Sequence, residues 1–171
     1  MKSRFCVTTR QPRISRHWGP LSVVSSTDLP TLVLLHGLLG DGRDWQPVIE
    51  ALPGIDCHAL DLPGHGSNKG LRVSGFDEAH EWLCGELAAR GITRYQLAGY
   101  SLGGRLALYH ASQSPAGLQA LLLENCHPGL PVTERAARLE HDEGWARRFE
   151  REPLAQVLAD WYRQGVFADL D

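Results

Sequence analysis

The segment around Ser101 constrains the fold of this chain more than any other feature. Residues 99–103 read Gly-Tyr-Ser-Leu-Gly, a G-x-S-x-G pattern, and the apolar run 95–98 precedes them. This pattern is typical of a sharp turn from a strand into a helix, which lifts the serine hydroxyl above a sheet and needs small residues on either side. The sequence therefore predicts a strand, a tight turn that presents the serine, and a helix after it.

Short apolar runs alternate with helical patterns along most of the chain. Strands are predicted over 4–9, 21–25, 31–35, 55–60, 95–100 and 120–123, and helices over 44–52, 76–89 and 102–113. This alternation is typical of a doubly wound parallel sheet with right-handed crossovers. After Glu124 two charged amphipathic helices, over 132–150 and 153–164, follow each other without a strand between them.

Two parts are therefore expected, a core over 1–128 and a helical lid segment over 129–171. The lid would lie over the carboxyl edge of the sheet, where open α/β sheets bind their ligands.

Composition narrows the class of protein and of ligand. With 43% hydrophobic and 22% charged residues, the chain has the balance of a globular domain. A net charge of -3 gives no basic surface for nucleic acid, so we expect a small-molecule ligand. No apolar stretch approaches the roughly 18 residues that span a bilayer, and the first residues lack the apolar core of a signal peptide, so we expect no membrane partner and a cytoplasmic location.

The four cysteines give no metal or disulfide pattern. Cys6, Cys57, Cys84 and Cys126 are scattered without a C-x-x-C pair. We expect them to be small buried hydrophobic residues, and we predict no metal site.

Ser101 is the predicted nucleophile or base, and its neighbours supply an oxyanion hole. The backbone N–H of Leu102 opens a helix, and the N–H of Leu38 lies in the loop after an earlier strand, so both are candidate donors to a developing negative charge. Arg105 lies one helical turn beyond Ser101, where it could hold an anionic substrate or be a solvated or ion-paired arginine. His36 and His65 are interpreted as loop-organising residues, since they precede the serine.

No acid and base follow the serine in the expected order. Glu124 and His127 lie too close together to come from separate strands, and His141 belongs to a predicted lid helix. Arg135 and Arg138 share that helix with acidic residues, which is usual for a solvated face.

Several motifs together resemble the α/β-hydrolase superfamily and, within it, the pyruvate-eliminating synthases of menaquinone biosynthesis. They lie at 33–41, 61–66, 99–105, 127–130, 160–162 and 167–168. The resemblance implies an α/β-hydrolase fold and a lyase that needs no cofactor and acts on a small polycarboxylate. It also implies site roles: Ser101 as base, the backbone of Leu38 and Leu102 as oxyanion donors, and Arg105, Arg138, Tyr100 and Trp161 as substrate contacts.

The resemblance also has a gap. The family's catalytic aspartate and histidine, and its later strands, have no counterpart in these 171 residues. We therefore expect a chain that is truncated at its C-terminus, inactive by itself, and exposed to self-association along an open sheet edge. Two alternatives stay open: a serine ester or thioester hydrolase of the same fold, and a non-catalytic binding module.

Overall fold

A parallel sheet forms the centre of the structure, a computed structural model that describes residues 31–167. Its four strands are β1 (Thr31–Leu35), β2 (Cys57–Leu60), β3 (Tyr95–Tyr100) and β4 (Leu118–Glu124), in the order β2-β1-β3-β4. From β1 the chain moves outward to β2, then crosses back to β3 and continues to β4. The order therefore reverses between β1 and β3, and a crevice at such a switch point is where this kind of sheet binds ligands. The predicted strands over 4–9 and 21–25 lie outside the described residues.

The helices follow the predicted alternation. They are α1 (Gln46–Glu50), α2 (Phe76–Ala89), α3 (Leu102–Ser112), α4 (Val132–Arg151) and α5 (Leu154–Trp161). The helix predicted over 44–52 is divided, because Asp41 caps a 3₁₀ turn at Gly42–Trp45 before α1 begins at Gln46 with Pro47 in its first turn.

The core lies between the central strands and the helices α2 and α3. Val33 and Leu35 of β1, Leu97 of β3, Leu83 of α2 and Leu106 of α3 are all buried. Residues 33–35 of β1 and 97–99 of β3 are buried on both faces, which explains the apolar sequence of these segments. In contrast, β4 leaves Leu122 59% exposed, and no further strand pairs with it among residues 31–167.

The helices α4 and α5 are held together more by charge and aromatic packing than by a buried core. The guanidinium of Arg148 contacts Glu152 at 3.0 Å and Asp160 of α5 at 2.5 Å. Trp145 and Phe149 of α4 pack edge-on against Trp161 of α5, with centroids 5.0 and 5.6 Å away. These helices lie in the predicted lid segment over 129–171, and the division into core and lid stays a prediction.

The prediction that the cysteines are buried is wrong for the described ones. Cys84 is exposed, and Cys57 and Cys126 are half-buried. Leu83 and Leu87 form the buried stripe of α2, and Cys84 is turned out of it by ~100° around the helix axis. Cys6 lies outside the described residues. None of the helices in the described part of the chain is long and apolar enough to cross a membrane.

Candidate active site

The backbone of Ser101 has the strained geometry of a nucleophile elbow. Its φ of 51° and ψ of -110° lie in a region that residues with a side chain rarely adopt. Two hydrogen bonds hold it there: the N–H of Ser101 donates to the carbonyl of Glu124 at 2.9 Å, and the N–H of Gly103 donates to the carbonyl of His36 at 3.1 Å. The turn is therefore tied to both neighbouring strands.

The glycines beside the serine are required because backbone passes too close for a side chain. A Cβ atom on Gly99 would lie 2.5 Å from the carbonyl oxygen of Gly103. A Cβ atom on Gly103 would lie 2.5 Å from the carbonyl oxygen of His36 and would also collide with that of Leu35. Small residues at these positions allow α3 to begin directly against β1 and β3.

The two predicted oxyanion donors lie beside Ser101. Leu38, Ser101 and Leu102 line one cavity of about 520 Å³ at the carboxyl edge of the sheet. Among residues 31–167, neither Leu38 N–H nor Leu102 N–H donates to a protein acceptor. Leu102 is also the first residue of α3, where the helix dipole favours negative charge.

His36 holds the loop that carries Leu38. Its Nε2 accepts the N–H of Leu62 at 3.0 Å, so in the neutral ring the proton is on Nδ1, which donates to the carbonyl of Gly37 at 2.7 Å. The ring is buried, and burial lowers its pKa. Both nitrogens are occupied, which agrees with a loop-organising residue rather than a base.

The structure brings the predicted substrate contacts around the same cavity. Tyr100, Arg105, Arg138 and Trp161 all line it together with Ser101. The Arg105 guanidinium lies over the ring of Phe76, 5.3 Å from its centroid, and pairs with no carboxylate in the described part of the chain. Arg138 pairs with Asp142 at 2.7 Å, so its charge is partly neutralised.

Other cavity residues were missed by the sequence analysis. Asn125 follows β4 in a left-handed conformation with a φ of 48°, and its amide nitrogen donates to the hydroxyl of Tyr100 at 3.2 Å. Phe167 reaches the cavity from a 3₁₀ turn after α5. Asn125 could have been found, because it directly follows a strand at the edge where ligands bind. Phe167 lies in one of the motifs of the resemblance, at 167–168, but no site role was assigned to it.

The described residues do not provide Ser101 with a base. His127 and His141 line the cavity, but the imidazole of His127 bonds to Gly129 and that of His141 accepts the indole N–H of Trp145 at 3.1 Å. In residues 31–167, no histidine or carboxylate hydrogen-bonds to Ser101 Oγ. The carboxylate of Asp61 holds a loop, since it accepts the N–H groups of Gly42 and Ser67, each at 2.7 Å.

A parallel sheet with a strained serine at its switch point defines the class of this chain. It belongs to the alpha/beta hydrolase fold family, whose model matches residues 30–162. The predicted fold class is thereby confirmed.

Individual relatives narrow the class further. The chain is 54% identical over 144 residues to 2-succinyl-6-hydroxy-2,4-cyclohexadiene-1-carboxylate synthase of Yersinia enterocolitica, a match that covers 83% of this chain and 53% of that protein. It is 49% identical over 145 residues to the synthase of the same name from Serratia proteamaculans, covering 84% and 57%. The predicted resemblance to these synthases is confirmed. The chain spans about half the length of the curated relatives it matches.

Solved structures agree with this assignment. MenH from S. aureus has a TM-score of 0.72 at 29% identity, covering 81% of this chain and 53% of that one. A marine microorganism esterase, at 20% identity and a TM-score of 0.63, shares the fold; the match covers 80% of this chain and 56% of the esterase.

Proposed function

We propose that the protein is a carbon–oxygen lyase of menaquinone biosynthesis. It would eliminate pyruvate from 2-succinyl-5-enolpyruvyl-6-hydroxy-3-cyclohexene-1-carboxylate to give 2-succinyl-6-hydroxy-2,4-cyclohexadiene-1-carboxylate. The observation that carries the proposal is the cavity in which Ser101 lies together with Arg105 and Arg138. The names of relatives about half identical to this chain support the choice of reaction. A cytoplasmic location is part of the same proposal.

The reaction begins at the serine. Ser101 takes a proton from a ring carbon, the electron pair left behind forms a new ring double bond, and the bond from the ring to the enolpyruvyl oxygen breaks. The departing enolpyruvate takes up a proton and becomes pyruvate. The proton of the hydroxyl must pass to a base, and no described group hydrogen-bonds to Ser101 Oγ. The resemblance assigns this activation to a histidine and an aspartate.

The oxyanion donors act when the proton leaves the ring carbon. Negative charge then develops on a neighbouring carbonyl or carboxyl oxygen, and the N–H groups of Leu38 and Leu102 would donate to it. Fixed amides of this kind need no rearrangement during the reaction, so they stabilise the transition state more than the bound substrate.

The arginines fit a substrate with several carboxylates. Arg105 has no carboxylate partner in the described part of the chain, so its charge is available to a substrate carboxylate. Arg138 can exchange Asp142 for the ligand. Tyr100 and Trp161 would contact the ring or its succinyl group from the cavity walls.

Pyruvate release by the full-length protein tests the proposal. We expect Ser101→Ala to lower kcat by ~1,000-fold or more, as removal of the activated serine does in enzymes with a serine catalytic triad. The matched control is Ser112→Ala in α3, whose hydroxyl bonds to the carbonyl of Tyr109 at 2.6 Å, and it should retain normal turnover.

Three outcomes would overturn the proposal or its assignment of the base. If Ser101→Ala released pyruvate at the normal rate, the serine would not be the base. If the full-length protein released no pyruvate but gave a product burst from an activated ester with a covalent adduct on Ser101, it would be a hydrolase. Dicarboxylate binding without either reaction would indicate a binding module.

A further inference from the structure

Three potential metal ligands meet between α2 and α3, away from the serine cavity. His80 and Cys84 are one turn apart on α2, and His110 faces them from α3. The Nδ1 atoms of His80 and His110 are 2.9 Å apart, and the Nε2 of His80 lies 3.7 Å from the Sγ of Cys84. One ligand atom from each residue lies within 4.8 Å of the others. We call these residues the His80–Cys84–His110 cluster.

The cluster lines a pocket of its own. All three residues border a surface pocket of about 390 Å³, with Tyr95 and Gln113 among its other walls. Tyr95 begins β3, whereas Ser101 follows its end, so the pocket and the serine lie at opposite edges of the sheet, ~20 Å apart along the strand. An ion held by the cluster would keep one coordination position open to the pocket.

We propose that the His80–Cys84–His110 cluster binds a zinc ion that joins α2 to α3. Two imidazoles and a thiolate are a donor set that zinc prefers, with a fourth position left for water. Tetrahedral zinc separates two nitrogen ligands by ~3.3 Å and nitrogen from sulfur by ~3.6 Å, on ordinary bond lengths. The 2.9 Å between the two Nδ1 atoms is a hydrogen-bond distance and is shorter than the first value, and the 3.7 Å to Sγ is close to the second but is measured from the other nitrogen of His80. The His80 ring turns about its Cβ–Cγ bond to direct one nitrogen at the ion.

A contact with Tyr95 already orients one of the ligands. The hydroxyl of Tyr95 lies 2.6 Å from the Nε2 of His110, and both residues are buried. With zinc on Nδ1, the Nε2–H donates to this hydroxyl, the kind of contact that fixes the tautomer of a metal-bound histidine.

Cobalt(II) provides a spectroscopic test in the full chain. We expect saturable binding of one Co²⁺ per chain, with a thiolate-to-cobalt charge-transfer band and tetrahedral d–d bands, both removed by Zn²⁺. Cys84→Ser should abolish the charge-transfer band. Cys57→Ser is the matched control, because this thiol lies in β2 outside the cluster, and it should leave the spectrum unchanged.

Two further variants test the geometry without removing a buried ligand. His80→Ala should weaken Co²⁺ binding by at least ~10-fold, and Tyr95→Phe, which keeps the ring in the core, should weaken it by ~10- to 100-fold. Zn²⁺ should raise the Tm of the unaltered protein and of Cys57→Ser, but not of Cys84→Ser.

The proposal fails if Co²⁺ binding does not saturate at one ion per chain. It also fails if the thiolate band persists in Cys84→Ser or disappears in Cys57→Ser. None of these measurements uses enzymatic activity, and Ser101→Ala should bind Co²⁺ normally, so this result is independent of the proposed lyase function.

Discussion

Adding one methyl group at Gly103 should displace Ser101 together with the N–H of Leu102, the proposed oxyanion donor. The new Cβ would lie 2.5 Å from the carbonyl oxygen of His36, where ordinary van der Waals contact begins at 3.4 Å, so α3 would have to withdraw by about 0.9 Å. The obstacle is backbone on β1 and its following loop, which cannot rotate away as a side chain would. The hydrogen bond from Gly103 N–H to His36 would also be lengthened.

The expected cost follows from two opposing effects. Alanine has a better helix propensity than glycine by ~1 kcal/mol, which favours the variant. Overpacking costs ~1–3 kcal/mol where side chains can adjust, and more where they cannot. We therefore expect Gly103→Ala to lower the free energy of unfolding by ~2 kcal/mol or more. A displacement near 1 Å in the catalytic geometry should also lower the rate of pyruvate release by ~100-fold.

Gly85 provides the matched control for this reasoning. It lies within α2, and a Cβ atom there would meet nothing within 4 Å. Gly85→Ala should therefore raise the free energy of unfolding by ~0.5–1 kcal/mol and leave turnover unchanged. Urea denaturation and pyruvate release of the full-length variants give both quantities. Equal stabilities for the two variants, or normal turnover in Gly103→Ala, would show that close backbone approach does not position the elbow.

Three further expectations concern the loop, the cavity and the sheet edge. Asp61→Ala should lower the free energy of unfolding by ~2 kcal/mol at pH 7, since the amides of Gly42 and Ser67 lose their acceptor. These hydrogen bonds hold the pKa of Asp61 below 3.8 in the folded protein. The contribution of Asp61 to the free energy of unfolding is therefore complete above pH 3.8 and is lost as the pH falls through the lower folded-state pKa. If urea titrations gave the same difference in stability between Asp61→Ala and the unaltered protein at every pH, this expectation would be wrong. Arg105→Met should lower kcat/KM by ~10- to 100-fold, because a substrate carboxylate would lose its charged partner. The control Arg147→Met breaks an exposed ion pair with Glu143 and should leave the steady-state kinetics unchanged. Equal effects of the two substitutions would show that Arg105 does not bind the substrate. Leu122 and Leu123 of β4 are exposed, so we expect the chain to self-associate through this strand; a monomer in sedimentation would refute this expectation.

Much of the fold could be predicted because its signals are local. The buried strands have continuous apolar runs, as in β1, and the elbow has a pattern that few other backbone conformations need. The helix over 76–89 has the predicted bounds. The first helix was less predictable, because the capping box at Asp41 and the proline at 47 compete for where the helix begins.

The contacts across separate helices could not be predicted in the same way. The spacing of His80 and Cys84 on α2 is visible in the sequence, but it has no meaning until His110 is placed opposite by the packing of α2 on α3. The cysteine was expected to be buried because cysteines usually are. Its position one residue beyond Leu83 in the buried stripe turns it outward instead. The register of a helix on its neighbour is set by the whole core, which no local window contains.

The pairing of β1 with β3 is what assembles the candidate active site. These strands are separated along the chain by β2 and α2, yet they are neighbours in the sheet, and Leu35 is in register with Gly99. The residues that follow them, the loop of His36 and the elbow of Ser101, therefore leave the sheet side by side. The hydrogen bond from Gly103 to His36 closes this arrangement. Neighbouring parallel strands are joined only through crossover connections, so the two proposed oxyanion donors are far apart in the sequence but are held by the same pair of strands.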